Sequence, residues 1–562
     1  MKSLRVYVPG ATTVVSAIWD QLKIGKTLDT VLDWDPAQCK LSPGMRLKAL
    51  TINILAGRTP LYGVSDFFKH QDLTNLFGKG VTEKDLNDDC LARALDKLAL
   101  AGASMVTSSV LLNASCQEGI KSTHLHSDTT SISVYGKYGH EKDDLNSFIE
   151  LVHGYSKAHR PDLKQLKVGL TVNQDGIPLI GEPLSGNVDD KTWNSEFINK
   201  LSKNFNRVDL KELIYVADSA LITKTNLQEI KEKELSFISR LPANFKLAKE
   251  LVALAWQNSD WTDLGQTAKH KNAAYYKVQT FVRNLYDSDY QFIVVHSSNL
   301  DKRKTKSIEK NLKKLQDELS KAVKDLNQRE FACYADAAKQ LELFTKEHKN
   351  EFFPLDAEVI ETTRAKKREG KGRPPKGYKP ETETIYKANC MIGPMQEAAR
   401  KKALEQANCF ILITNLMGKP AIDVLKEYKN QTTVETSFKF LKSPVFLDAI
   451  YLKKESRIEA LTCVLLLALF LHRILQRRVR KALKEENSYV TVNNIKMEKP
   501  TGNRVLQLLK YVQVAVIKEG GQEYRMIPEI PMEEPLERIL RLAGLTPEIY
   551  LLTRENPFCL LE

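Results

Sequence analysis

Residues 123–135 read THLHSDTTSISVY, a run rich in β-branched side chains in which apolar and polar positions alternate. A period of two with this composition predicts a half-buried β-strand. Two more strands, over residues 166–172 and 177–181, are predicted on either side of an Asp175-Gly176 turn. The spacing then predicts a helix over 194–204, a strand over 213–217, a helix over 223–234 and a strand over 235–241. The order βββ-α-β-α-β indicates an α/β protein with a mixed sheet and helices on its faces.

The flanking sequence predicts further domains, since 562 residues exceed what one hydrophobic core usually organises. Apolar spacing before the first strand is helical, and Thr82-x-x-Asp85 resembles a capping box. After the last strand comes a charge-dense insertion with a long amphipathic helix around residues 308–326, which packs either on a helix near 331–349 or on a partner as a coiled coil. We predict a helical N-terminal domain for DNA binding or dimerisation (1–118), a core in two pieces (119–244 and 406–500), an insertion (245–405) and a C-terminal tail (501–562).

Composition favours a polyanionic partner. The chain carries 83 Lys and Arg against 70 Asp and Glu, a net charge of +13, although a solubility surplus would give the same number. The eight cysteines are scattered without a C-x-x-C pair, which argues against zinc knuckles and disulfides and fits a reducing cytoplasm. The longest apolar run, Ala460 to Leu471, is short of the ~20 residues of a membrane helix, so we expect a core helix and no membrane partner.

Two basic segments are candidate DNA contacts. Residues 364–379 read RAKKREGKGRPPKGYK, which Gly and Pro keep out of regular structure. Arg373 between Gly372 and Pro374, flanked by Lys371 and Lys376, resembles the core of an AT-hook that enters a minor groove, although a solvated charge run is the alternative. Helical spacing also predicts a basic stripe along the helix after residue 460, formed by Arg473, Arg477, Lys481 and Lys484.

Asp128 is unusual because it lies inside the first predicted strand. Alternation places it on one face with His124 and His126. A buried carboxylate needs a cation or a basic partner, so a structural salt bridge, a metal ligand and a histidine-based metal site are the three interpretations.

Two more carboxylates stand at positions that favour function. Asp218 follows a strand, where α/β sheets expose functional side chains, although it is equally suited to cap the next helix. Glu435 shares a predicted helical face with four other residues, although a solvated glutamate beside Lys439 is the simpler interpretation. The other residues on that face are Tyr428, Gln431, Phe438 and Lys442.

The donor chemistry of the three acids suits a hard cation. Asp128, Asp218 and Glu435 offer only oxygen ligands, which favour Mg²⁺ or Mn²⁺. Three carboxylates are enough to hold two such ions about 3.5–4 Å apart for in-line phosphodiester displacement. The sequence therefore predicts a two-metal phosphoryl-transfer site.

These motifs resemble the DDE transposases of bacterial insertion sequences, in particular the group with a long insertion and a Y-x2-R-x3-E-x6-K signature. The resemblance runs over about residues 119–475 through His126-Ser-Asp-Thr-Thr130, Val216-Ala-Asp-Ser219 and the Tyr428, Glu435 and Lys442 positions. It implies a ribonuclease H-like core with Asp128 on the first strand, Asp218 after the fourth and Glu435 on the helix beyond the insertion. Lys442 would contact phosphate and Tyr428 would help to position it. Gln431 departs from the pattern, which has Arg there, and an amide lacks the charge of a guanidinium.

The resemblance implies a DNA transposase that cleaves and transfers strands at the ends of an insertion sequence with Mg²⁺ or Mn²⁺. Its partners would be double-stranded DNA, as terminal inverted repeats and as target, and a second copy of the chain on that DNA. It would act at the nucleoid in the cytoplasm of a bacterial or archaeal cell. The alternatives are a metal-dependent nuclease on the same fold and a catalytically inactive DNA-binding derivative. The intact carboxylates argue against the inactive derivative.

Overall fold

The computed structural model divides the chain into two compact units. The core unit comprises residues 1–239, 414–416 and 423–562, and the insertion unit comprises residues 240–413 and 417–422. The structure describes residues 3–136, 138, 149–156, 160–204, 212–267, 273–299, 302–366, 379–443, 452–529 and 531–555.

The N-terminal segment is helical after one short strand, β1 (Ser3–Tyr7). The Thr82–Asp85 capping box is confirmed, and it opens the 3₁₀ turn Glu83–Leu86. The α-helices are α1 (Thr12–Gln21), α2 (Ile24–Val31), α3 (Pro43–Ile52), α4 (Val64–Phe68), α5 (Leu73–Phe77), α6 (Asp88–Leu100) and α7 (Ala103–Gln117).

The central sheet of the core unit has the predicted order of elements. These are β2 (His124–Val134), β3 (Lys164–Asn173), β4 (Pro178–Ser185), α8 (Asp190–Asn204), β5 (Ile214–Val216), α9 (Lys224–Glu232) and β6 (Ser236–Arg240). The strands lie in the order β4-β3-β2-β5-β6, with β2, β3 and β4 antiparallel and with β5 and β6 parallel to β2. This is a ribonuclease H-like arrangement, in which the first strand lies at the centre of the sheet.

The insertion unit contains more β-structure than its sequence predicts. Its elements are α10 (Lys246–Asn258), β7 (Thr262–Gln266), β8 (Tyr275–Leu285), β9 (Ser288–Ser297), α11 (Lys302–Asn327), β10 (Glu330–Phe331), α12 (Tyr334–Glu347), β11 (Leu355–Ala365), β12 (Thr382–Ile392), α13 (Glu397–Ala407) and β13 (Cys409–Thr414). Strands β13-β9-β8-β7 are neighbours in that order, and β10-β12-β11 form a second sheet.

The amphipathic helix α11 packs on a sheet, so the coiled-coil alternative is wrong. Val323 and Leu326 of α11 share a small core with Ala388 and Cys390 of β12, and Leu341 of α12 joins the same cluster. The predicted helical neighbour α12 is present, but strand β12 also covers the apolar stripe of α11. Helical spacing could not reveal this strand, since it belongs to a hairpin more than 50 residues further along the chain.

The remaining elements include a hairpin through Gly520-Gly521. They are α14 (Ala421–Lys429), α15 (Thr432–Leu441), α16 (Glu455–Glu485), β14 (Val490–Val492), β15 (Ile495–Met497), α17 (Gly502–Leu508), β16 (Val514–Glu519), β17 (Gln522–Met526) and α18 (Leu536–Leu542). Strand β16 pairs with β1 as well as with β17, which joins the two ends of the chain in one sheet.

Helices cover both faces of the central sheet, and two glycines show where they approach it. A Cβ on Gly169 of β3 would lie 2.6 Å from the Trp193 ring of α8, and a Cβ on Gly181 of β4 would collide with Leu466 of α16. The register pairs Leu170 with Gly181, so Gly169 and Gly181 point to opposite faces. The predicted arrangement with helices on both faces is therefore confirmed.

Helix α16 packs against most helices of the N-terminal segment in the core unit. Its apolar residues share one hydrophobic cluster with those of α1, α3, α6 and α7, and Arg457 pairs with Asp96 of α6 at 2.7 Å. By length and composition the helix is apolar enough to cross a membrane, but 94% of its most apolar window is buried in protein. The predicted core helix is confirmed, and it is 31 residues long.

Candidate active site

Asp128 and Asp218 lie side by side on the central sheet. Strands β2 and β5 are parallel, and their last registered pair is His126 with Val216. Two residues further along each chain stand Asp128 and Asp218, and a step of two returns the side chain to the same face. Burial raises the pKa of the neighbouring Tyr215 phenol, and the negative charges of Asp218 and Asp128 raise it further. The register therefore places the two carboxylates at neighbouring positions on adjacent parallel strands.

Backbone amides orient both aspartates. The Thr129 N–H donates to Asp128 Oδ1 at 2.7 Å, and the Ala220 N–H donates to Asp218 Oδ1 at 3.0 Å. Asp218 thus caps the 3₁₀ turn Ser219–Leu221, whereas Thr223 caps α9. The capping alternative holds for the turn and not for the helix, and it leaves Asp218 at the end of the strand beside Asp128.

Glu435 lies exposed on α15, next to the strand that carries Asp128. The predicted single face from Tyr428 to Lys442 is wrong, because α14 ends at Lys429 and α15 begins at Thr432. Three β-branched residues, at 432–434, follow the break, and such residues favour helix less than straight-chain ones. The break places Gln431 against the sheet, where its Nε2 donates to the Ser127 carbonyl at 3.3 Å.

The structure brings two of the three carboxylates together. Within the described ranges, no group of three or more His, Cys, Asp and Glu side chains lies close enough to hold a metal ion. Asp128 and Asp218 share a sheet face, and the helix of Glu435 is fixed to the same strand through Gln431. The oxygen-only donors fit Mg²⁺ or Mn²⁺, and the third ligand requires Glu435 to approach the aspartates.

The two histidines of β2 differ from each other in environment. Burial, and to a lesser extent the charge of His124, lowers the pKa of His126 to about 4, so this fully buried imidazole is neutral at physiological pH. His124 Nε2 lies 3.7 Å from Glu427 of α14. His124 therefore has a carboxylate neighbour on α14.

A family model described as a transposase DDE domain matches residues 121–471, well over half of the chain. The chain belongs to this family. Asp128, Asp218 and Glu435 all lie within the matched segment of this DDE transposase. A second family model, a domain of unknown function (DUF4277), matches residues 10–112 in the helical N-terminal segment. A comparison with curated proteins found no match.

The structure locates some of the predicted DNA contacts of the transposase, which stay predictions. Lys442 is exposed at the C-terminal end of α15, and Tyr428 is half-buried on α14. Lys371, Arg373 and Lys376 lie outside the described residues.

The start of the basic segment is already engaged with carboxylates. Arg364 on β11 pairs with Glu383 at 2.6 Å and also with Glu330, and Lys366 pairs with Glu381 at 3.3 Å. These ion pairs lie where β11 and β12 flank the basic segment, so Arg364 and Lys366 each have carboxylate partners within the chain.

The predicted basic stripe on α16 is not continuous. Arg473 is only 7% exposed, Arg477 pairs with Asp175 at 3.3 Å, and Lys481 pairs with Glu485 at 3.9 Å. Helical spacing places these cations on one side of α16. It carries no information on the start of α17 and the turn after β3, which lie beside Arg473.

We expect Gln431 to be a positioning residue. Gln431→Met keeps the size of the side chain but removes the donor to the Ser127 carbonyl, so single-turnover cleavage should fall by about tenfold, the value of one hydrogen bond. Gln431→Arg retains a donor and should change cleavage by less than about tenfold, or 1.4 kcal/mol in barrier height.

The control is Gln117→Met, at an exposed glutamine whose side chain donates to Asn113 on its own helix. The Mg²⁺ concentration for half-maximal cleavage should rise in Gln431→Met and stay unchanged in the control. A hundredfold gain in Gln431→Arg would instead mean that the amide marks a decayed active site.

Proposed function

We propose that this transposase cleaves DNA at the ends of an insertion-sequence element and joins the freed 3′ ends to target DNA. The observation that carries the proposal is the pairing of Asp128 with Asp218 on one sheet face, next to the helix of Glu435. Asp128, Asp218 and Glu435 would hold Mg²⁺ or Mn²⁺. When bound, these ions supply activation of the attacking oxygen and stabilisation of the departing 3′-oxygen.

The residues of the chain contribute orientation. Backbone N–H groups fix one oxygen of each aspartate, so the orientation of the carboxylates that would hold the cation is set by the fold. Lys442, about two helical turns beyond Glu435 at the C-terminal cap of α15, would bind a phosphate of the same strand. We further propose that two copies act together on paired element ends.

The test is incubation of the protein with duplex DNA that carries its own element's ends, in Mg²⁺ and in EDTA, followed by mapping of strand breaks at nucleotide resolution. Breaks at the element boundary and joined products in a target plasmid support a transposase. Breaks without joined products would favour the nuclease alternative. Binding without breaks would favour the inactive derivative.

DNA binding should weaken steeply with salt, because each neutralised phosphate releases counterions with a log–log slope of about −0.9. Replacing Lys371, Arg373 and Lys376 together by Gln should flatten the slope by up to that amount for each phosphate that the loop neutralises. The matched control is Arg364→Gln with Lys366→Gln, which removes charges already paired to glutamates. An equal slope in the loop variant and the wild type would mean that the loop is solvated and makes no DNA contact.

A further inference from the structure

A cavity of about 390 Å³ lies beside the candidate active site, within the core unit. It is bounded by α15, by α16, by the start of α17 and by the turn after β3. Its titratable lining among the described residues is mostly basic, with three cations, one histidine and one carboxylate. These residues are Lys439, Arg473, Arg480, His472 and Asp175.

Arg473 is the least exposed of the cations. Its side chain is 7% exposed, and its Nη2 donates to Ser437 Oγ at 3.1 Å. Its Nε has no hydrogen-bond partner among the described residues. Burial, and then the charge of Arg480, lowers the pKa of Arg473 to about 10, so the guanidinium is still charged at neutral pH. The one charged group among the described residues that affects its pKa is Arg480, a cation. A buried charge without a counter-ion is costly, which leaves Arg473 in need of an anion.

The other groups do not supply that anion. Arg480 donates to the carbonyls of Pro500 at 2.8 Å and Lys499 at 3.4 Å, neither of which is charged. Asp175, the lining carboxylate, pairs with Arg477 at 3.3 Å. Burial lowers the pKa of His472 to about 3, so its imidazole is neutral. The cavity therefore holds an excess of positive charge.

The Thr432 hydroxyl adds to the set of donors, whereas the Thr436 hydroxyl already donates to the Thr432 carbonyl at 2.7 Å. Thr432 and Thr436 of α15 line the cavity beside Lys439. Guanidinium forks with hydroxyl and ammonium donors are the groups with which proteins bind phosphate. Thr436 is the residue after Glu435, and Thr432 lies three residues before Glu435, about 4.5 Å along the helix axis. The cavity thus lies within about one turn of the candidate metal ligand.

We propose that this cavity binds a phosphate group of the DNA strand that passes the catalytic carboxylates, with Arg473 as the central ligand. The identity of the strand rests on the proposed function, whereas the affinity for phosphate does not. The site places a fixed positive charge on the flank of α15 that does not carry Glu435, so it holds the strand in register with the reacting phosphate.

The first measurement is the thermal unfolding midpoint of the full chain in inorganic phosphate and in chloride at equal ionic strength. Phosphate should raise the midpoint of the wild type in a concentration-dependent way, because ligands that bind the folded state stabilise it. Arg473→Gln should weaken the apparent affinity for phosphate by about tenfold or more, since it removes a charge-assisted donor. Thr432→Val is a second variant that leaves the buried cation in place and should also weaken the effect, whereas Thr436→Val removes a hydroxyl that donates to its own helix and should change it less.

The second measurement is the salt dependence of binding to end DNA. Arg473→Gln should reduce the slope by about 0.9, the value of one phosphate contact. The matched control is Lys481→Gln, on the same helix but outside the cavity, which should leave the phosphate effect unchanged.

The outcomes separate the two proposals. Phosphate stabilisation that depends on Arg473, in a protein that does not cleave DNA, would support the anion site and contradict the proposed function. Cleavage with an Arg473-independent phosphate effect would overturn the anion site. Arg473-dependent phosphate binding with an unchanged DNA slope would mean that the cavity takes a free anion and not the DNA strand, which also overturns the proposal.

Discussion

Asp128→Asn, Asp218→Asn and Glu435→Gln should each reduce single-turnover cleavage of end DNA by at least about a thousandfold, ~4 kcal/mol in barrier height. Each change removes one negative charge from the set that would hold the metal. It also keeps the shape of the side chain, so the backbone bonds at 2.7 Å to Asp128 and at 3.0 Å to Asp218 retain an oxygen acceptor. Asn is as good a cap as Asp, and Glu435 is exposed, so folding should be preserved.

DNA affinity should stay within about threefold of the wild type in all three variants, because carboxylates do not bind phosphate directly. The matched control is Asp423→Asn, at an exposed acid in the first turn of α14. It should retain full cleavage. Cleavage within tenfold of the wild type in any one of the three variants would remove that residue from the site.

The order of the core elements could be predicted because the information is local. Alternation over residues 123–135 marks β2, and the same alternation places His126 and Asp128 on one face. Once β2 and β5 are taken as parallel neighbours, Asp128 and Asp218 must meet. The sequence period therefore gives the face on which Asp128 lies, whereas its position beside Asp218 depends on the pairing of β2 with β5.

The helix of Glu435 shows where periodicity fails. A 3.6-residue period describes a continuous helix, and it carried Tyr428 and Glu435 onto one face. The helix is interrupted at residues 430–431, where Gln431 donates to the carbonyl of Ser127, about 300 residues away. Helical spacing contains no information on such a partner.

Two other features could not be predicted from the sequence, because each depends on contact between distant segments. Strand β1 pairs with β16, which lies more than 500 residues further along the chain. Neither alternation nor turn residues near the N-terminus could therefore predict this pairing. The burial of Arg473 depends on the segment around Thr501 that packs over α16. A basic residue on a helix is usually solvated, and only the tertiary contact reveals a buried cation.

Trp193 should be among the most important residues for the stability of the core unit. It is 1% exposed, it packs on Phe197 with ring centroids 5.5 Å apart, and its Nε1 donates to Ser127 Oγ at 3.3 Å. Trp193→Ala should cost about 3–5 kcal/mol, because it leaves a large cavity under β2. The midpoint of urea unfolding, followed by circular dichroism, should fall accordingly, and Trp34→Ala at a half-buried tryptophan should cost less.

A double-mutant cycle with Gly169 tests the contact itself. A Cβ at Gly169 would lie 2.6 Å from the Trp193 ring, so Gly169→Ala should destabilise the wild type by forcing the ring or the strand to shift. In the Trp193→Ala background the ring is absent, and the same Gly169→Ala change should cost little. The two costs should therefore be strongly non-additive, with a coupling of about 1–3 kcal/mol. Additive costs would mean that α8 does not rest on Gly169, and that the face of the sheet behind Asp128 is supported by another element.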